Sequence, residues 1–253
     1  RLFLDSLGRD AGVLSMLGLD PRAQGVEVRR RIGYLPGDFT VEGNQTARHL
    51  LTYLGNLRGG VPKRSIEDLA ERLVLDLDTK IRNLSKGNRQ KVGLIQAFMH
   101  EPELLILDEP TSGLDPLMAR EFLSMTTQAR DAGQTVFMSS HILSEVQQVA
   151  DRAAIIRRGR LIAVDEVDSL RAKSVRRVEV TFDEPVDPSE FAAIDGVSDL
   201  DVEDGVLRCR LLGEADALVK AVARYRVRDF ISEEPDLEEL FFHYYTEESE
   251  SVS

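Results

Sequence analysis

Along the first two thirds of the chain, short apolar runs alternate with stretches in which apolar residues recur at helical spacing, the pattern of an α/β sheet domain. The runs 31–35, 104–107, 135–139 and 153–156 predict sheet strands, and the last leads through a turn at Arg158-Gly159 into a return strand over 161–164. Between the first two strands, Leu50, Leu51, Leu54 and Leu57 recur at helical spacing. Gly59-Gly60-Val61-Pro62 then breaks the chain before a second helix over about 65–75. The spacing predicts a helical insertion, over about 45–100, within a sheet domain.

After about residue 170 the elements shorten and acidic residues multiply. Strands over 175–182, 197–202, 206–211 and 227–231, with helices over 188–194 and 215–225, give the order βαββαβ. That order predicts a small α+β domain of ferredoxin-like type. A last helix over 235–245 carries Leu237, Leu240, Phe241 and Tyr244 on one face, and the acidic residues 246–253 read as disordered. The expected organisation is a sheet domain over 1–170, an accessory domain over 171–245 and the tail 246–253.

Charge and composition narrow the function classes. A net charge of −12 argues against a nucleic-acid partner, because such binding depends on Lys and Arg neutralising phosphates. It argues equally against direct attraction to anionic lipid. No apolar run approaches the roughly 18 residues that span a bilayer. The single cysteine, Cys209, lies between Leu207 and Leu211 at alternating spacing and is expected to be a buried thiol. Arg1 is not followed by a charged and then apolar leader, and as a first residue it leads us to expect that an upstream segment is missing.

The strongest chemical feature is Leu104-Leu105-Ile106-Leu107-Asp108-Glu109, an apolar run ending in two carboxylates before Pro110. A buried strand that delivers an Asp at its C-terminal end can place a partner for Mg²⁺, and the adjacent Glu can orient and deprotonate water. Upstream stands Leu84-Ser85-Lys86-Gly87-Asn88-Arg89-Gln90-Lys91, with Ser85 and Gly87 ahead of a helix expected over about 89–99. There a hydroxyl and backbone N–H groups are offered to an anion. Downstream come Thr111-Ser112-Gly113-Leu114-Asp115-Pro116 and, ending the third strand, Ser139-Ser140-His141. Singly, each motif has a purely structural reading as a cap, a turn or a surface histidine. All four in this order do not.

Together they resemble the ATPases of ABC transporters: the carboxylate strand resembles Walker B, 84–91 the signature motif in its LSKGN form, 111–116 the D-loop, and His141 the switch histidine. The resemblance implies an ABC-type P-loop ATPase fold that binds ATP and Mg²⁺ and forms a head-to-tail dimer, homomeric or heteromeric, sandwiching two nucleotides. It further implies Asp108 as metal ligand, Glu109 and His141 as the catalytic pair, and Ser85, Lys86, Gly87, Asn88 and Asp115 as nucleotide-binding residues. A separate transmembrane permease would be the partner, with the ATPase peripheral on the cytoplasmic face of the plasma membrane. The LSKGN form and the aromatic tail helix are similar to ABC-2 type exporters.

Two departures stand out. After Tyr34-Leu35-Pro36 comes Gly37-Asp38 instead of the family's usual Gln, so Asp38 stands in for that ligand or the loop acts only in coupling. No GxxxxGK[ST] phosphate loop occurs in the 253 residues. Matching 1–18 to the family puts Arg1 just beyond that loop, with 1–7 the remainder of the helix that follows it. Truncation is thus expected, with the first strands missing too and the chain alone inactive. Two alternatives stay open: a non-transport ABC ATPase of translation or DNA repair, and a non-catalytic partner subunit.

Overall fold

The computed structural model describes residues 11–172 and 175–233. The expected helix over 1–7, the aromatic helix over 235–245 and the acidic tail lie outside the described residues. Contacts divide the chain into two compact units, 1–141 and 142–253. This division falls earlier than the change of texture at about residue 170.

In the first unit, helix α1 (Gly25–Arg31) leads directly into strand β1 (Ile32–Leu35). Arg31, expected to open the strand, closes the helix instead, and its guanidinium grips Glu103 through two contacts of 2.6 Å. Helices α2 (Ala47–Leu57), α3 (Lys63–Arg72) and α4 (Lys86–Phe98) then intervene before β2 (Leu104–Asp108). Helix α5 (Pro116–Asp131) connects β2 to β3 (Thr135–Ser139). The three strands are parallel in the order β1-β2-β3, so their C-terminal ends share one edge of the sheet.

Each helix start has a local cause. Thr46 caps α2 by accepting from the His49 amide, and Asp115 caps α5, whose first residue is Pro116, by accepting from the Leu117 and Met118 amides. Helix α4 is buried along most of its length: Val92, Leu94, Ile95 and Ala97 are fully enclosed, each large side chain contributing about 1.5–3 kcal/mol. Phe98 meets Phe122 of α5 edge to face at 6.4 Å, tying the two helices together. Strand β3 has no second neighbour among the described residues, and its Phe137 is 54% exposed.

At the opposite end of the sheet from Asp108, His100 is held between Arg58 and the Ile32 carbonyl, with Nε2 at 3.1 Å from each. Burial, and then the neighbouring Arg58 charge, push this imidazole from 6.5 down to about 4. The folded chain therefore binds the proton less readily than the unfolded one. Stability is full above about pH 6.5 and declines as pH falls towards 4, by about 2 kcal/mol after allowance for the ring's partial exposure. Denaturant titrations of the wild type and His100→Gln between pH 7 and 4.5 should diverge in this window, the variant's curve being flatter. Parallel curves would remove His100 as the cause.

The second unit opens with helix α6 (Leu143–Val149) and the hairpin β4 (Arg152–Arg157) and β5 (Arg160–Glu166). Arg158 and Gly159 both have positive φ, the conformation that closes a two-residue hairpin. After α7 (Val167–Ala172) come β6 (Val175–Phe182), α8 (Pro188–Ala192), β7 (Val197–Glu203), β8 (Val206–Leu212), α9 (Asp216–Val222) and β9 (Val227–Glu233). The sheet order is β7-β8-β6-β9, with every pairing antiparallel. Val178, Val180, Phe182, Leu207, Leu211 and Phe191 form its core. Cys209 is buried among them, and that burial pushes its thiol up. Asp183 is paired with Arg226 and Arg228, and Asp187 caps α8.

Candidate active site

Strand β2 delivers its two carboxylates to the edge where all three parallel strands end. Leu105, Ile106 and Leu107 are buried, and Asp108, the strand's last residue, lies in register with Ser139 of β3. The Ser139 hydroxyl donates to Asp108 Oδ1 at 2.5 Å, and the Gly37 amide donates to Oδ2 at 3.3 Å. A Cβ at Gly37 would stand 3.0 Å from that same oxygen. The residue where the family's Gln is usual is thus a spacer that lets the loop approach the carboxylate.

Glu109 follows with φ of +47°, in the left-handed region that costs a non-glycine residue of order 1 kcal/mol or more. This conformation is held from its amide side: the N–H donates to the Ser139 carbonyl and hydroxyl, both at 3.2 Å. The side chain meets His141, with Oε2 2.6 Å from Nδ1. A carboxylate only accepts, so Nδ1 carries the proton of this hydrogen bond. Glu109 is one-third exposed and His141 about three-quarters, so both are open to a ligand or water. A carboxylate oriented by an imidazole beside a second carboxylate is suited to activating water.

Ser85 is the N-cap of α4, its hydroxyl accepting from the Asn88 amide at 3.2 Å. The helix begins at Lys86, earlier than its expected start near residue 89, so Gly87 and Asn88 belong to the first turn and do not precede the helix. Gly87 abuts the loop after Glu109: a Cβ there would fall 2.6 Å from the Gly113 carbonyl oxygen. The Lys86 methylenes pass over Gly113 itself, about 3.6 Å from where its Cβ would be. The signature residues and the start of the D-loop are therefore in contact within one chain. Asp115, at the far end of that loop, is engaged as the cap of α5.

Asp38 lines a separate cavity of about 420 Å³ with Arg29, Tyr34, Phe39, Arg58 and Gln96. Among the described residues no group of three His, Cys, Asp or Glu could hold a metal unaided. Asp108 as a single carboxylate nevertheless fits Mg²⁺, which is usually bound through one or two carboxylates with water and substrate phosphates completing its shell.

Ser139 and Gln90 were not singled out as site residues by sequence reasoning. The signal for Ser139 is its register opposite Asp108, which follows from pairing the two apolar runs. Gln90 was legible as a polar residue on a helical face otherwise occupied by Leu94 and Ala97, and it is 5% exposed.

Comparison with known proteins agrees with this geometry. The family model described as ABC transporter matches residues 2–112. The chain is 34% identical over 185 residues to the bacitracin transport ATP-binding protein BcrA of Bacillus licheniformis, covering 71% of this chain and 60% of that protein. It is 35% identical over 176 residues to the ABC transporter ATP-binding protein NatA of Bacillus subtilis, covering 67% and 72% respectively. The BcrA of Enterococcus faecalis is likewise matched over only 56% of its own length. A solved structure described as the ATP binding subunit of an ABC transporter superposes with a TM-score of 0.63 at 27% identity, covering 67% of this chain and 72% of that one. With a strand-end Asp-Glu pair facing a histidine, and a serine-capped signature helix behind it, the chain belongs to the family of ABC transporter ATP-binding proteins.

Proposed function

We propose that the chain is the ATP-hydrolysing subunit of an ABC exporter, acting as a head-to-tail dimer that sandwiches two nucleotides beneath a separate membrane permease. The observation that carries this reading is the 2.6 Å contact between Glu109 and His141, next to Asp108 at the ends of adjacent parallel strands. Asp108 would hold Mg²⁺, which when bound neutralises phosphate charge. Glu109 accepts the proton of the attacking water, and His141, through Nε2, orients that water or the γ-phosphate. Ser85 and the Gly87 amide, at the start of a 13-residue helix, suit the γ-phosphate of a nucleotide held by the opposite subunit. Asp115, on the loop that touches Gly87, would couple the two sites.

Export as the direction of transport is supported by the LSKGN signature and by the likeness to bacitracin transport proteins. Dimerisation and location at the cytoplasmic face are part of the same proposal, and the likeness to ABC transporter ATP-binding proteins supports them. No helix among the described residues is long and apolar enough to cross a membrane. For the domain scheme we retain 1–170, 171–245 and 246–253. The βαββαβ order and the sheet order β7-β8-β6-β9 support a ferredoxin-like accessory domain.

A second reading is a partner subunit without catalysis, and the phosphate loop decides between the two, since residues 1–253 contain no GxxxxGK[ST]. That loop supplies a nest of amides, a lysine on the β- and γ-phosphates and a hydroxyl on Mg²⁺, and no described group replaces them. Isothermal titration of a polypeptide of residues 1–253 with Mg·ATP should therefore show no micromolar site, whereas a longer polypeptide that adds a phosphate loop should show one. Micromolar binding by residues 1–253 alone would refute this account of the phosphate site. Absence of binding by the longer polypeptide would favour the second reading.

A further inference from the structure

Glu109 occupies a strained conformation, and its two backbone polar groups are held by side chains from different elements. Its N–H is taken by Ser139 of β3. Its carbonyl accepts from the Ser112 amide at 3.1 Å, closing the turn through Pro110, and from Gln90 Nε2 at 3.4 Å. The same Gln90 amide donates to the Pro110 carbonyl at 3.0 Å in a fully buried setting. Gln90 stands on α4 about one turn beyond the Ser85 cap, so a single buried side chain ties the signature helix to the turn that aims the carboxylate.

We infer that Gln90 is a positioning residue for hydrolysis, fixing Glu109 through its backbone and joining that placement to the signature helix. It touches no reacting atom. Without Gln90 the Glu109 carbonyl keeps the Ser112 amide, but the buried Pro110 carbonyl loses this donor and draws the backbone towards another partner. The available movement is in the turn 109–112, which carries Glu109 with it. Displacement of a catalytic group by about 1 Å can cost up to about a hundredfold in rate. Since Gly87 abuts Gly113 at the far end of this turn, the signature helix and the hydrolytic turn are braced at two points, and Gln90 is the polar one.

This inference rests on the proposed ATPase reading, and a double-mutant cycle on the assembled transporter separates the two. Gln90→Met keeps length and flexibility but removes the donor. It should lower kcat for ATP hydrolysis by about 10- to 100-fold while KM for Mg·ATP stays within about threefold. Combined with Glu109→Gln, it should cost nothing further, because the group it aims has already lost its base. Should Gln90→Met fail to fold, Gln90→Asn carries the same expectation, as its amide is withdrawn by one methylene. A near-normal kcat, or an equal loss on both backgrounds, would overturn the inference while leaving the ATPase reading intact. Absence of hydrolysis by the wild type would instead sink that reading.

Discussion

Glu109→Gln in the assembled transporter should retain Mg·ATP binding and lose at least about a hundredfold in turnover, the scale of losing a general base. The substitution preserves the side chain's shape and removes its capacity to take a proton. The surroundings report on the same point. The hydrogen bond of 2.6 Å to His141 needs an acceptor at Oε2, which the amide oxygen can still provide, so orientation should survive while basicity is lost. Asp108, with its own contacts to Ser139 and Gly37, is untouched, and for that reason affinity should be spared. Hydrolysis within about tenfold of wild type would remove Glu109 from its assigned role.

Gly33→Ala should be the most damaging small change to the fold. Gly33 lies in the middle of β1, paired with Leu105, and a Cβ built there falls 2.1 Å from the Ala97 carbonyl oxygen and 2.8 Å from Leu105 Cδ2. The first of these atoms is helix backbone, which cannot swing aside as a side chain can. Relief requires α4 to part from β1, loosening a contact in which Leu35, Leu94 and Ile95 are fully buried. Overpacking of this kind costs about 3 kcal/mol, roughly a hundredfold in the folding equilibrium. Gly25→Ala is the matched comparison, because the added Cβ meets only the end of the flexible Arg29 side chain. Denaturant midpoints should fall sharply for Gly33→Ala and barely move for Gly25→Ala. Similar midpoints for the two would contradict the close packing of α4 on β1.

Much of this structure was legible in the sequence, for physical reasons that differ from element to element. Strands β2 and β3 are apolar runs with abrupt ends, and their edges were placed within a residue. The turn at Arg158-Gly159 declared itself through a glycine where two successive positive φ angles are needed. The start of α4 was misplaced because Gly87 has low helix propensity. Only the structure shows that a glycine is required there, for close approach to Gly113. Helix α1 was missed because Arg29, Arg30 and Arg31 leave Val28 as its only buried residue, too little apolar periodicity to detect.

The candidate site divides in the same way. Asp108, Glu109, His141, Ser85 and Asp115 could be read because each belongs to a local motif. The struts that hold them could not be, since Gln90 and Ser139 act across 20 and 31 residues of sequence through backbone carbonyls and a single hydroxyl. The left-handed conformation of Glu109 likewise leaves no mark on residue type, because glutamate has no preference for it.

The central claim, that this chain supplies both a hydrolytic carboxylate and a signature helix to a shared nucleotide sandwich, is tested most directly by light scattering. The sample is a longer polypeptide that contains residues 1–253 together with a phosphate loop and carries Glu109→Gln. With Mg·ATP it should shift from monomer to a stable dimer holding two nucleotides. Adding Ser85→Arg, which places bulk and a second group at the start of α4, should abolish the shift. A Glu109→Gln protein that stays monomeric at saturating Mg·ATP, or one that dimerises equally well with Ser85→Arg, would contradict the account.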